Sequence, residues 1–333
     1  MKKTGMIHLF LPVMLLMALS VLAACGKTPS VEDEGLIRVG FSQVGAESDW
    51  RTANTKSVTE ALTEENGFEL LFDNAKQHQE NQLLAIRNFI QQGVDYIVLA
   101  PIAESGWNDV LQEAKVAGIP VIIADRQLAV EDRSLYTCFV GSDNLTEGRK
   151  ATQWLEEELQ RQGREDSPLH ILHIRGTDGS TPQLMRSKAL EDAVASHPGW
   201  EIVGSLPGEF TDAKSYELVR DFLKTGESID VIYSENDNMT FGALRALDEA
   251  GISYTGEDHL IIISFDAVRD ALRSCLAGNI DLCVECNPLQ GPIISKLIKE
   301  LEAGIQVPKE TYVEEAVFSS DTLTEEILSK REY

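Results

Sequence analysis

GVDYIVLAPIAESGWNDVLQEAKVAGIPVIIADR, residues 93–126, holds one complete turn of the pattern that organises this chain. Gly93 closes a helix, and 96–99 is a continuous apolar run. Residues 106–117 follow as a helix, Gly118 stops it, and Ile119-Pro120 opens a second apolar run that ends abruptly at Asp125-Arg126. A helix-ending Gly followed by an unbroken Val/Ile run predicts buried parallel strands with helices on both faces.

Outward from this stretch the alternation continues. Upstream it predicts a strand from 36, a helix over about 50–65, a strand over 69–72, and a helix carrying Leu83, Ile86 and Ile90 on one face. Downstream, Ala250-Gly251 closes a helix before the run 260–265, as Ala117-Gly118 does before 121–124. Two blocks result, about 36–140 and 169–265, separated by an acidic helix over 143–162 and a connector to 168. The expected fold class is α/β, with two doubly wound parallel-sheet lobes and a cleft between them. After Asp266 the pattern predicts a helix, a strand, a helix over 288–303 and a strand near 312–318.

Four apolar runs stop at polar residues: 37–42 before Glu47-Ser48-Asp49-Trp50-Arg51, 120–124 before Asp125-Arg126, 231–233 before Asn236-Asp237, and 260–265 before Asp266. Ligands of open α/β sheets bind beyond the carboxyl ends of the strands. Sugar hydroxyls donate and accept, so a carboxylate can take two of them while an Arg fork donates to neighbours. Each residue also has a plainer role: Asp125-Arg126 as an ion pair, Asn236 as a helix cap, Trp50 as core filling. Their joint placement at successive strand ends favours a binding site.

Bulk properties exclude other classes. The formal charge is -25 over 333 residues, the opposite of the clustered basic surface that nucleic acid requires. No Gly-x-Ser-x-Gly elbow is present, and 175–180 lacks the Gly-Lys-Ser/Thr of a phosphate loop, so a tight turn with a helix cap is expected there. His170 and His173 stand three apart in a strand and face opposite ways. Cys283-x-x-Cys286 is likewise in an apparent strand, which favours buried thiols, or one Cys275–Cys283 disulfide, over a metal site. No catalytic residue, metal or cofactor is expected.

Residues 1–24 combine Lys2 and Lys3 with an apolar stretch, the pattern of a signal peptide. Leu22-Ala23-Ala24-Cys25-Gly26 resembles the lipobox of bacterial lipoproteins, which implies a lipid on Cys25 and a tether over 25–35.

Phe41 to Arg51, Gln79-Glu80-Asn81-Gln82, Ala100-Pro101, Gly106-Trp107, Asp125-Arg126, Asp143-Asn144, Asn236-Asp237 and Asp266 together resemble the ribose/galactose-type solute-binding proteins of ABC transporters, in their galactofuranose-binding branch. The resemblance runs from about residue 37 to the C-terminus. It implies an N-terminal sugar-binding lobe of 36–141 plus 287–316, a C-terminal lobe of 142–286 plus 317–333, and three hinge crossings. It also implies that Glu47, Ser48, Trp50, Arg51, Asp125 and Arg126 line the first lobe. Arg186, Asn236 and the aromatic Phe210 would reach in from the second, with Asp266 near a hinge. The partners so implied are a monosaccharide of furanose type and the permease subunits of an ABC importer, with the receptor acting as a monomer held extracytoplasmically at the cell membrane. A sensor that passes the sugar signal to a membrane receptor or histidine kinase is the alternative use of the same fold.

Overall fold

The computed structural model describes residues 35–256 and 260–333. The signal segment, Cys25 and the tether up to residue 34 lie outside the described residues. The strands are β1 (Ile37–Gln43), β2 (Phe68–Asn74), β3 (Tyr96–Leu99), β4 (Val121–Asp125), β5 (Cys138–Gly141), β6 (Leu169–Arg175), β7 (Trp200–Pro207), β8 (Val231–Ser234), β9 (Ile261–Asp266), β10 (Leu282–Glu285), β11 (Glu310–Tyr312) and β12 (Val317–Ser319). The helices are α1 (Asp49–Ala61), α2 (Gln79–Gln92), α3 (Asn108–Val116), α4 (Asn144–Arg161), α5 (Thr181–Ser196), α6 (Asp212–Leu223), α7 (Asp237–Ala250), α8 (Arg269–Leu276), α9 (Gly291–Glu302) and α10 (Glu325–Ser329).

Two six-stranded sheets form, with orders β2-β1-β3-β4-β5-β11 and β7-β6-β8-β9-β10-β12. They follow the same permutation. All pairings are parallel except β10 with β12. Strand order therefore reverses between β1 and β3 in one lobe and between β6 and β8 in the other, the switch points where α/β sheets open a ligand crevice. Strands β3, β4, β8, β9 and β10 are buried along their whole length, as sheets covered by helices on both faces require. Gly93, Gly118 and Gly251 all take left-handed backbone after their helices, so the stop signals in the decisive stretch act as read.

The chain passes between the sheets three times: from β5 to α4, from β10 to α9, and from β11 to β12. The single strand expected near 312–318 is in fact two, split between the sheets by the third crossing. Three other readings shift. Helix α1 ends at Ala61, and a separate 3-10 turn spans Glu64–Asn66. The buried face of α2 is Gln82, Ala85, Ile86 and Phe89, with Leu83 and Ile90 only partly buried. Gln82 can occupy the core because its side chain is satisfied: it donates to the Ala100 carbonyl at 2.7 Å and accepts from Ile102 N–H at 3.0 Å. The expected tight turn is present, with Ser180 N–H bonded to the Thr177 carbonyl at 3.1 Å, and Ser180 stands at the N-cap of α5, but its hydroxyl donates to the same carbonyl at 2.7 Å instead of capping the helix. Cys138, Cys275, Cys283 and Cys286 are free buried thiols, so the disulfide alternative does not hold.

Candidate functional site

A cavity of about 300 Å³ lies between the lobes, lined by Glu47, Ser48, Trp50, Arg51, Asp125, Arg126, Pro182, Arg186, Phe210, Asn236, Asp266 and Cys286. All ten residues singled out from the sequence meet there. A larger open depression of about 1290 Å³ runs along α1 and α9. No strand-end residue reaches it, so the interlobe cavity is the candidate site.

Each side chain is delivered by a local device. Ser48 caps α1, its hydroxyl accepting from Arg51 N–H at 3.1 Å, which starts the helix where Trp50 and Arg51 face the cleft. Asn236 caps α7 through Met239 N–H at 2.9 Å, and its amide also donates to the Phe210 carbonyl at 3.3 Å. The plainer capping role and the cavity position coexist in one residue. Asp125 and Asp266 end the equivalent strands β4 and β9, and both have positive φ, 65° and 102°. Phe210 is similar at 62°. Non-glycine residues held in this region cost of order 1–3 kcal/mol each and cluster at functional sites. Gly176 makes room for Phe210, since a Cβ there would lie 1.9 Å from the ring.

Arg51 is the centre of the first-lobe charges. It lies 2.6 Å from Asp125 Oδ2, donates to Glu47 Oε1 at 2.9 Å and reaches Gln43 Oε1 at 3.3 Å. The adjacent pair Asp125–Arg126 is looser at 3.7 Å, so the tight partner of Asp125 is Arg51, not its sequence neighbour. Arg126 donates instead to the Ile102 carbonyl at 2.9 Å and stacks over Phe210 of the other lobe, 5.3 Å from its centroid. Burial, with repulsion from Arg51, brings the Arg126 guanidinium down to about 10. Burial pushes the Glu47 carboxyl up, but Arg51 and Arg126 outweigh it and hold it below its ordinary range.

The second lobe is arranged around Arg186. Its Nε and Nη2 lie 2.8 and 2.7 Å from Glu147 Oε2, and its Nη1 is 3.8 Å from Asp266 Oδ1. Burial drives the Asp266 carboxyl well above its ordinary range, with Arg186 offsetting only part. That favours the acid form, which can donate a hydrogen bond. Trp50 packs within the second lobe's core and donates Nε1–H to the Cys286 carbonyl at 2.6 Å. Its indole is thus both core filling and cavity wall.

Four buried polar atoms of cavity residues lack a well-formed hydrogen bond within the protein: Glu47 Oε2, Arg126 Nε, and the ion-paired Asp125 Oδ2 and Arg186 Nη2, which lie 2.6 Å from Arg51 and 2.7 Å from Glu147. Native proteins leave few such groups. Two acceptors and two donors, contributed by both lobes, match a polyhydroxylated molecule. The lobes are also clasped directly. Asp49 N–H donates to Asn238 Oδ1 at 3.0 Å while Asn238 Nδ2 donates to Asp49 Oδ2 at 3.1 Å. Thr181 Oγ bridges Gln127 N–H and Glu104, at 2.8 and 2.7 Å.

Sequence reasoning did not place Glu147, Pro182 or Asn238 at the site, and took Cys286 only as a buried thiol in an apparent strand. Asn238, in the Asn236-Asp237-Asn238 run, and Pro182, next to the 175–180 turn, had local signals. Glu147 had none, because its importance comes from Arg186 on another helix. The two histidines do face apart: His173 is buried against Glu235 at 2.9 Å, and His170 pairs with Asp230 at 2.8 Å.

Residues 39–305 match the periplasmic binding protein domain family. The chain is 36% identical to the galactofuranose-binding protein YtfQ of Escherichia coli strain K12, over 89% of this chain and 92% of that protein. A Mycobacterium smegmatis protein solved in complex with β-D-fucofuranose superposes with a TM-score of 0.80 at 40% identity, covering 86% of this chain and 92% of that one. The binding-protein component of the arabinose ABC transporter from Shewanella sp. ANA-3, bound to α- and β-L-arabinofuranose, gives 0.79 at 39% identity over the same shares. The shared fold, the matched family and a cavity fit for hydroxyls rather than for covalent chemistry lead to one conclusion: the chain belongs to the periplasmic binding proteins, as a sugar-binding protein of the ABC-importer type and not an enzyme.

Proposed function

We propose that this protein captures a single furanose-form monosaccharide by hinge closure and delivers it to the permease of an ABC importer, while a lipid on Cys25 holds it at the outer face of the cell membrane as a monomer. The observation that carries the reading is the set of charged donors and acceptors, Glu47, Asp125, Arg126 and Arg186, each with a buried polar atom lacking a well-formed hydrogen bond, that line one small cavity from both lobes. In this reading, Glu47 and Asp125 accept from ring and exocyclic hydroxyls. Arg51, Arg126 and Arg186 donate, Asp266 donates as the acid, and Trp50 and Phe210 cover the C–H faces of the ring. Ser48 and Asn236 complete the walls.

The preference for a furanose rests on relatives whose ligands are galactofuranose, fucofuranose and arabinofuranose. No covalent step is involved. Contacts from both lobes are complete only when the cleft is shut, so ligand free energy shifts the population toward the closed form. Transport relatives support delivery to an importer over the sensor reading.

The test is a thermal-shift and calorimetric comparison of methyl β-D-galactofuranoside with methyl β-D-galactopyranoside, alongside L-arabinose. A ligand present at 1,000 times its Kd stabilises by about 4 kcal/mol. The furanoside should raise the melting temperature and the pyranoside should not. Equal binding of both ring forms would refute the furanose reading, and binding of neither sugar class would refute the site. For the anchor, Cys25→Ala should release the protein from membranes with sugar binding unchanged, and a variant that still fractionates with membranes would refute lipid attachment.

A further inference from the structure

The three crossings between the lobes converge on one carboxyl group. Glu315 lies on the third crossing, and its Oε1 accepts from the hydroxyl of Ser142 on the first crossing and from Asn287 N–H on the second, the latter at 2.9 Å. Opposite it stands Glu147, in the first turn of α4. A carboxylate oxygen of Glu147, a carboxylate oxygen of Glu315 and the Cys286 sulfur all lie within 4.8 Å of one another. Glu147 Oε2 is committed to Arg186 of the sugar cavity, while its buried Oε1 has no hydrogen-bond partner within the protein. Two carboxylates this close, one of them with an unpartnered oxygen, cannot both stay ionised at low energetic cost.

We propose that Glu315 and Glu147 form a proton-binding site at the hinge, in which closure takes up one proton from solvent and binding therefore weakens as pH rises. The Glu315 carboxyl takes the proton and donates it in a hydrogen bond to Glu147 Oε1. This links the third crossing through Glu147 to Arg186 in the cavity. The inference rests on the sugar-binding reading given above.

The charged and titratable groups around Glu315 fit this assignment. From α4 come Glu147 and Lys150, whose Nζ donates to the Glu315 carbonyl at 3.0 Å and so does not neutralise the carboxyl itself. From the second crossing comes Cys286, with its sulfur 3.3 Å from Ser142 Oγ and its thiol pushed up by burial, hence neutral. From β10, Glu285 holds Ala316 N–H at 2.8 Å. Arg186 on α5 is spent on Glu147. Burial first, then Glu147, raise the Glu315 carboxyl to about 9. Opening the lobes separates the third crossing from α4 and lowers the proton affinity. The closed form thus binds more protons than the open one above the ordinary carboxylate range, and closure loses its proton-linked stabilisation as pH climbs toward 9.

The experiment measures binding of methyl β-D-galactofuranoside to the full chain in detergent from pH 6 to 9.5, by calorimetry in two buffers of different ionisation enthalpy. In the wild type, Kd should rise about tenfold or more over this range, by at most tenfold per pH unit for one proton, with net proton uptake on binding. Glu315→Gln keeps an amide donor to Glu147 and an acceptor for Ser142 and Asn287. It should bind as the wild type does at pH 6 and show a shallower rise of Kd to pH 9.5, the remainder belonging to Asp266 in the cavity. Two readouts need no sugar. The melting temperature of Glu315→Gln should gain on the wild type as pH rises, and carbon-13 spectra of the wild type should show a carboxyl titrating well above its ordinary range that is missing from Glu315→Gln. If no sugar binds at pH 6, the sugar reading fails while these two still decide the proton site. Identical pH dependence in both proteins, or a stoichiometric zinc ion whose chelation abolishes the wild-type pH response, would overturn the proposal.

Discussion

Replacing Asp125 with Asn isolates the charge at the centre of the cavity. Alanine is the poorer choice, because Asp125 has φ 65° and a Cβ-bearing residue without a local hydrogen-bonding group adds roughly 1–2 kcal/mol of left-handed strain. Asn tolerates that region and keeps the shape. In the wild type, Asp125 Oδ2 is 2.6 Å from Arg51 and 3.7 Å from Arg126. A hydrogen bond to a charged group contributes ~1.5–3 kcal/mol, so sugar affinity should fall by about one to two decades. Breaking a buried ion pair can destabilise by roughly 3–5 kcal/mol, but here Arg51 keeps Glu47 at 2.9 Å and Gln43 at 3.3 Å. The stability loss should therefore fall below that range, and the melting temperature should drop by only a few degrees at about 2–4 °C per kcal/mol. Titration calorimetry with methyl β-D-galactofuranoside, paired with a circular-dichroism melt, reads both numbers. Affinity within threefold of wild type together with an unchanged melt would mean that Asp125 does not touch the ligand, and the cavity assignment would fall.

Gly176→Ala places a Cβ 1.9 Å from the Phe210 ring. It should cost ~1–3 kcal/mol of stability and weaken sugar binding by moving Phe210 off Arg126, and a wild-type melt and affinity would refute the close approach. The Asp49–Asn238 clasp joins the lobes directly, so a double-mutant cycle with Asp49→Ala and Asn238→Ala should show ~0.5–1.5 kcal/mol of coupling, read in stopped flow as faster sugar release with little change in capture. Additive single effects would remove its role. Trp50→Phe deletes the donor to the Cys286 carbonyl, should destabilise by about 1–3 kcal/mol, and should abolish any ligand-dependent tryptophan signal from the cleft. Burial raises the Asp237 carboxyl from 3.8 to about 7, with the Ser264 hydroxyl and Val268 N–H offsetting only part. A folded-state value above the unfolded one means stability is full below about pH 4 and lost as pH rises to 7. Asp237→Asn should flatten that part of the melting profile, and an unaltered slope would exclude Asp237 as its source.

Local signals carried the architecture. Gly93, Gly118 and Gly251 stop helices because left-handed backbone is inexpensive for glycine, and the Val/Ile runs behind them are buried because parallel strands are covered on both faces. These causes act over a few residues, so they are legible in 93–126 and its echoes. The same holds for polar residues at strand ends, which is why Glu47, Ser48, Asp125, Arg126, Asn236 and Asp266 could be named in advance, whereas Arg186 and Phe210 came only from the family resemblance. What they bind to within the fold was decided only by tertiary structure. Asp125 pairs tightly with Arg51 rather than Arg126, because the strand order β1-β3-β4 places the β1 and β4 loops over one crevice. Trp50 donates to a carbonyl 236 positions away, and Glu147 matters only because α4 meets Arg186 on α5. The strand expected near 312–318 split for a similar reason. Each half has ordinary strand character, and only the placement of the two sheets determines that Glu310–Tyr312 joins one and Val317–Ser319 the other. Charge pairing and chain crossing depend on distances that sheet order sets, and no local propensity encodes them.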